Sequence, residues 1–364
     1  MREEQNSPIT PVGKETEEGI RVDRFSYILP EELIAHHPAR RRDESRLMVC
    51  RRSAEEVEHR RFHHIADYLR EGDLLLLNDT KVIPARLTGR KTTGGAVEVL
   101  LVRRFGGGEK EQQWSAMVRP SRGVREGTIM ELGRGLTAEI TARDDDGWWR
   151  LSLSARDTID TIIYEVGRMP LPPYIRRECT EEDRERYQTV FAKKEGAIAA
   201  PTAGLHFTDK VLARLREQGV DIRFITLHTG PGTFLPVRAK LVEEHTMVPE
   251  YYEIDESTFS AVERVKREGG RVIAVGSTAT RAIEASVRSG FSNPALTGFT
   301  DLFIYPGYTF QVIDGLVTNF HLPRSTLLML VAAFAGREAT LRFYREAVRE
   351  RYRFYSYGDA MLLL

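Results

Sequence analysis

Cysteine is nearly absent: Cys50 and Cys179 are the only two in 364 residues. Two thiols build no disulfide scaffold, and their scarcity suits a reducing, cytoplasmic setting. Net charge is missing as well, because 53 Lys and Arg balance 53 Asp and Glu. No global field therefore draws in a polyanion. Long apolar runs are absent too, and the longest, Leu327–Ala335, is too short to span a bilayer. The start, Met1–Gly19, is polar and acidic and lacks the apolar segment of a signal peptide. Residues 1–20 are expected to form a disordered tail. No HExxH or CxxC spacing exists, so no metal is expected. No Walker loop or GxGxxG follows a strand-like run, which leaves nucleotide and dinucleotide chemistry unsupported.

What is present divides by texture. From Gly72 to about Ser154 the chain is a series of short strand-like runs: Asp73–Leu77, Ala85–Arg90, Ala96–Arg104, Gln113–Arg119, Thr128–Leu132, Leu136–Arg143 and Trp148–Leu153. Gly- and Asp-rich punctuation separates them, and this regular spacing reads as a small antiparallel barrel. After Pro201 strands alternate with helices: helix Asp209–Gln218, strand Asp221–Leu227, strand Tyr251–Ile254, helix Glu256–Arg267 and strand Arg271–Val275. Helix Ala279–Arg288, strand Phe299–Ile304, the apolar Thr326–Ala335 and helix Glu338–Glu350 follow. Such alternation predicts a mixed sheet covered by helices. The expected fold is α/β: a mixed-sheet domain of residues 21–71 and 156–364, interrupted by a β-barrel domain of residues 72–155.

Two loops of small residues carry the chemistry. Ala199–Thr208 and His228–Phe234 each place an imidazole and hydroxyls beside glycines, which let a ligand approach the backbone closely. Thr208 is a good cap for the helix that follows, so His206 and the hydroxyl of Thr202 are expected near a helix N-terminus, a site suited to carboxylate or phosphate, and Gly204 of the same loop is expected to bind substrate. His206 reads as a ligand or acid–base group, with a structural imidazole as the alternative. The second loop, with His228, Gly230 and Thr233, follows a strand, and ligands bind beyond strand carboxyl ends in open α/β sheets. Gly276–Arg281 repeats this arrangement, and its Thr278 and Arg281 suit a carboxylate such as that of an amino-acid-like ligand. Arginines crowd 39–61, among them Arg40, Arg41, Arg42 and Arg46. They read either as a phosphate grip or as a solvated face.

Long ordered strings in this chain match a known family. They include Arg42-Asp43-Glu44-Ser45-Arg46-Leu47, Asn78-Asp79-Thr80-Lys81-Val82-Ile83-Pro84-Ala85-Arg86-Leu87, Pro170–Ile175 and Arg186–Val190. Both small-residue loops, Asp301–Tyr308, Thr318-Asn319-Phe320-His321-Leu322-Pro323 and Tyr355–Met361 complete the set. From about Phe25 to its end the chain resembles the S-adenosylmethionine:tRNA ribosyltransferase-isomerase family of queuosine biosynthesis.

The resemblance implies an α/β domain with an inserted barrel. It implies transfer and isomerisation of the ribosyl moiety of S-adenosylmethionine onto 7-aminomethyl-7-deazaguanine in tRNA, giving epoxyqueuosine-tRNA, adenine and methionine. S-Adenosylmethionine then serves as co-substrate, and no metal or further cofactor is expected. Partners are that co-substrate and a tRNA carrying the precursor at the wobble position; no membrane is involved, and a cytoplasmic monomer is expected. Set against this chemistry, His206, His228 and Glu250 are the expected proton-transfer groups. Thr278 and Arg281 are expected to hold the methionine carboxylate, and Asn319 and His321 to read a base edge or ribose. Arg42, Arg46, Lys81 and Arg86 are expected to bind tRNA. One segment departs from the family pattern: His245-Thr246-Met247-Val248-Pro249-Glu250 stands where a His-Lys-Met-His-Ser-Glu-like string is expected. The alternative it opens is a catalytically altered paralogue that binds RNA or acts on another nucleoside or amine acceptor.

Overall fold

The computed structural model describes residues 19–52, 57–144, 147–230, 232 and 237–364. The expected N-terminal tail lies almost wholly outside the described residues, as does Thr233 of the second loop.

The chain opens with β1 (Arg46–Cys50), β2 (Val57–Arg61), β3 (Leu74–Asn78) and the short β4 (Thr80–Val82). Six strands then close a barrel: β5 (Arg86–Lys91), β6 (Ala96–Gly107), β7 (Glu111–Arg119), β8 (Ile129–Glu131), β9 (Thr137–Arg143) and β10 (Trp149–Ser154). Helices α1 (Ile159–Val166) and α2 (Glu181–Arg186) and strand β11 (Lys194–Ala197), paired parallel with β4, bring the chain back. There follow α3 (Asp209–Glu217), β12 (Asp221–Leu227), β13 (Glu250–Ile254), α4 (Glu256–Arg267), β14 (Val272–Val275) and α5 (Gly276–Ser286). Strands β15 (Thr297–Thr300) and β16 (Gly315–Asn319), helices α6 (Thr326–Ala335) and α7 (Arg337–Arg349), and β17 (Ala360–Leu363) complete it.

Nine strands form one mixed sheet in the order β15-β13-β12-β3-β14-β16-β17-β1-β2. Its centre, β12-β3-β14-β16, is parallel, and antiparallel partners flank it on both sides. The expected combination of a helix-covered mixed sheet and a closed antiparallel barrel is what the chain forms. One strand changes place. The run expected at Asp73–Leu77 as part of the barrel is β3, in the middle of the large sheet. Leu74, Leu75, Leu76 and Leu77 are all fully buried, which requires cover on both faces. A strand of a small barrel has one interior face, whereas a central parallel strand has two buried faces and reads as an unbroken apolar run.

Helices cover the sheet by amphipathic spacing. In α4, Phe259, Val262 and Val265 point inward at helical intervals. In α3 the Thr208 hydroxyl accepts from the Val211 N–H at 3.3 Å, the cap read from the sequence. Helix α5 is buried on every side, and it starts where β14 ends. Gly276 makes that turn at φ +85°, a left-handed backbone that favours glycine.

Candidate active site

The four parallel strands end on the same side of the sheet, and a cavity of about 620 Å³ opens there. Thr229 after β12, Gly276–Thr278 after β14, and Thr318 and Asn319 at the end of β16 line it, together with Ala199–Ala203 of the first loop. Its volume lies within the usual range of small-molecule sites. Among the described residues no side chain caps α5 at its N-terminus. That end enters the cavity wall with backbone N–H groups and the positive end of the helix dipole, a seat for a carboxylate. Buried Asn78 holds the strand ends together. Its Nδ2 donates to the Leu227 carbonyl and to Thr278 Oγ1, both at 3.0 Å, and its Oδ1 accepts from the N–H groups of Leu227 and Thr80. No sequence pattern singles out Asn78, although it stands in a matched string.

Behind the wall runs a buried polar chain. His206 closes the 3-10 turn Thr202–His206, and its ring stacks on Phe62 at 5.0 Å between centroids. Ser45 Oγ donates to the Arg42 carbonyl and lies 2.7 Å from His206 Nδ1, so that nitrogen carries the proton. His206 Nε2 is then an acceptor for Asn319 Nδ2 at 3.1 Å. Asn319 Nδ2 also donates to the Tyr355 carbonyl, and its Oδ1 accepts from Thr202 Oγ1 at 2.8 Å. Burial pushes the His206 pKa down to about 3, and the charges of Arg353 and Arg42 add to this. The imidazole is therefore neutral, bonded at both nitrogens and outside the cavity lining. It orients Asn319, whose amide reaches the cavity, and is not placed for proton transfer to a ligand there.

His321 does line the cavity. Its Nε2 lies 2.7 Å from Thr318 Oγ1, and burial pushes its pKa down to about 3. Thr202, Thr278, Asn319 and His321 are thus the expected substrate residues that the fold brings together. Gly204 serves packing: a Cβ there would meet Phe191 and Thr189 side-chain carbons at 2.9 Å. Gly230 gives its N–H to Glu250 Oε1 at 2.8 Å.

Glu250 and Arg281, expected to act on the ligand, instead bind each other. Their side chains form a buried ion pair. Arg281 also donates to the carbonyls of Leu302 and Thr300, at 2.8 and 3.3 Å. With its donors directed inward and its side chain 6% exposed, Arg281 locks α5 to β13 and β15 and offers no fork to a carboxylate. His228 bonds Thr80 Oγ1 through Nδ1 at 2.8 Å, stacks on Tyr251, and has its pKa lowered by burial. Gly196, at φ +146°, leaves room for it, since a Cβ there would lie 2.8 Å from His228 Nε2. His228 is not among the cavity-lining residues.

The expected tRNA-binding side chains are also engaged. Arg42 donates to the carbonyls of Glu185, Arg186 and Leu205. Arg46 lies 3.7 Å from the Tyr352 ring centre and donates to the Glu350 carbonyl. Lys81 pairs with Glu195 at 2.9 Å, and Arg86 donates to the Leu171 carbonyl while facing Glu98 at 4.0 Å. Exposed cations that do reach the cavity are Arg21, which is paired with Asp23, and Arg238, Lys240 and Arg324, none of which the sequence singles out. Nor does it mark Tyr174 and Tyr355 as a pair. Their rings lie 4.0 Å apart in the wall, with Tyr355 at φ +74°. Of the departing segment, His245 packs edge-on against Phe303, and neither Val248 nor Pro249 lines the cavity. Among the described residues no group of three His, Cys, Asp or Glu stands together as metal ligands would, and no helix is long and apolar enough to cross a membrane.

A family model described as queuosine biosynthesis protein matches residues 22–363. The chain is 51% identical over 345 residues to a protein of Syntrophotalea carbinolica named S-adenosylmethionine:tRNA ribosyltransferase-isomerase, covering 95% of this chain and 100% of the relative. A protein of the same name from Pelobacter propionicus is also 51% identical, over 343 residues, covering 94% of this chain and 99% of the relative. The crystal structure of an S-adenosylmethionine tRNA ribosyltransferase from Thermotoga maritima aligns with a TM-score of 0.53 at 40% identity, covering 94% of this chain and 100% of that one. Matched in sequence along nearly its whole length, the chain belongs to the queuosine biosynthesis family of S-adenosylmethionine:tRNA ribosyltransferase-isomerases.

Proposed function

We propose that this protein transfers and isomerises the ribosyl moiety of S-adenosylmethionine onto 7-aminomethyl-7-deazaguanine in tRNA, yielding epoxyqueuosine-tRNA, adenine and methionine. One observation carries the reading: the cavity at the strand ends is built from residues of several family-matching strings, with an uncapped helix start, a neutral imidazole and an aromatic pair in one wall. The N–H groups of Gly276, Ser277 and Thr278 receive the methionine carboxylate, in place of Arg281. The Tyr174–Tyr355 pair offers an aromatic face to adenine. Asn319, fixed by His206 and Thr202, hydrogen-bonds the ribose.

The sulfonium acidifies the C5′ carbon, and its proton passes to a base in the cavity wall, where His321 is the imidazole among the lining residues. Elimination expels adenine. The nucleobase amine then adds to the unsaturated sulfonium, and ring rearrangement closes the epoxide as methionine leaves. Arg238, Lys240 and Arg324 meet the phosphates of a tRNA entering the cavity. A tRNA substrate places the reaction in the cytoplasm, and we assign the active form as a monomer.

The test is incubation of purified protein with S-adenosylmethionine and tRNA bearing the deazaguanine precursor. Adenine and methionine are released in equal amounts if the proposal holds. Absence of adenine release with competent substrate refutes it, and turnover on the free nucleoside without tRNA would select the altered-paralogue reading.

A further inference from the structure

Phe105, 45% exposed, and Phe299, 58% exposed, are the two phenylalanines among the exposed large hydrophobic residues of the described structure. They come from different parts of the fold: Phe105 from barrel strand β6 and Phe299 from β15, the edge of the nine-stranded sheet. Arg103 connects them, its guanidinium carbon 4.8 Å from the Phe105 ring centre and 5.6 Å from that of Phe299. Arg150 on β10 also approaches Phe105, at 5.4 Å from its ring centre.

The row continues inward. Phe299 meets Tyr251 edge-on at 5.6 Å, and Tyr251 stacks on His228 at 5.9 Å and 22°. His228 immediately precedes Thr229 in the cavity wall. Among the described residues neither the Arg103 nor the Arg150 side chain has an ion pair or hydrogen bond, and Arg103 Nε is buried without a partner. Glu253 on β13 is neutralised by Lys194 at 3.0 Å, and Asp144 accepts at 2.6 Å from the hydroxyl of Ser115, the residue that pairs across the strands with both Arg103 and Arg150.

Exposed rings alternating with uncommitted guanidinium groups suit unpaired nucleobases and the phosphates between them. A protein partner would more often be met by a larger apolar patch with satisfied polar groups at its rim. We propose that Phe299, Arg103, Phe105 and Arg150 form a stacking track for single-stranded RNA, which holds the unpaired loop of the tRNA while its target base enters the cavity. The inference rests on the tRNA reading above and adds a docking surface bridging the barrel and the sheet edge. Stacking on a ring tolerates any base, so the track fixes the loop without reading its sequence.

The test compares the wild-type chain with Phe105→Leu/Phe299→Leu, which keeps apolar bulk and removes both rings, and with Arg103→Ala/Arg150→Ala. Binding of a tRNA anticodon stem–loop is measured beside a fully paired RNA duplex of equal length, with S-adenosylmethionine affinity as the folding control. The Leu variant is expected to bind the stem–loop at least about fivefold more weakly, with duplex binding and S-adenosylmethionine affinity unchanged. Phe105→Trp/Phe299→Trp restores binding. The Ala variant flattens the salt dependence, by a slope of about 0.7 for each phosphate no longer neutralised. Stem–loop binding by the Leu variant within twofold of wild type overturns the track, as does an equal weakening for stem–loop and duplex. Wild-type protein that binds no tRNA and releases no adenine refutes the underlying reading instead.

Discussion

Replacing His206 by Ala separates a positioning role from a proton-transfer role. The substitution leaves the Ser45 hydroxyl and the Asn319 amide, both in dry surroundings, without their 2.7 and 3.1 Å partners. The Asn319 N–H left unpaired costs about 1–3 kcal/mol and the hydrogen bond lost by Ser45, which keeps its bond to the Arg42 carbonyl, about 0.5–1.5 kcal/mol, and removing the ring stacked on Phe62 adds about 0.5–1.5 kcal/mol. A central total is roughly 4 kcal/mol. At about 2.1 cal/mol/K per residue, unfolding of the 364-residue chain in one transition carries an entropy near 0.8 kcal/mol/K, so Tm falls by about 5 °C. Calorimetry reads this directly, alongside adenine release under saturating S-adenosylmethionine. Turnover falls because Asn319 loses its orientation, and His206→Gln, which keeps an acceptor toward Asn319, recovers most of it. A His206→Ala protein with unchanged Tm and turnover reduced by more than about a thousandfold would refute the assignment, since a loss of that size without destabilisation belongs to a group in the chemistry.

Acid should destabilise this protein well above the carboxylate range. His206 and His321 titrate near 3 when folded, against 6.5 for an ordinary histidine, so between these values the unfolded chain binds more protons. Stability is fully present above pH 6.5 and is lost as pH falls from there toward 3. A Tm constant between pH 7 and 5 would contradict it. The Glu250–Arg281 pair gives a separate check: Glu250→Gln or Arg281→Met alone leaves a buried charge and costs about 3–5 kcal/mol, whereas the double variant costs less than the sum. Denaturant unfolding of the full double-mutant cycle measures this, and additive losses would show that the two side chains do not depend on each other.

Several parts of this architecture are plain in the linear chain. Local period and punctuation suffice for the barrel strands, because short runs between Gly- and Asp-rich turns have few other ways to bury one face. Helix α3 is announced by Thr208, and α4 by the spacing of Phe259, Val262 and Val265. The signal for β3 is also present, since four consecutive leucines do not suit a strand with one wet face. Strands β16 and β17 are harder to see. Both are short and wholly buried, so neither alternates, and periodicity has nothing to detect.

The candidate site divides along the same line. The linear chain shows which loops follow strands and which residue types they carry, because glycine, threonine and histidine after a strand are local facts. It could not decide what each side chain does, because that depends on partners far away in the chain. Arg281 is 31 residues from Glu250, and Asn319 is 113 from His206. Arg42 finds carbonyls more than 140 positions away. A charge or an imidazole is available to a ligand only if the fold has not already satisfied it, and burial makes that satisfaction obligatory. The sequence therefore set the chemistry available, and the tertiary structure decided which groups hold the walls and which face the cavity.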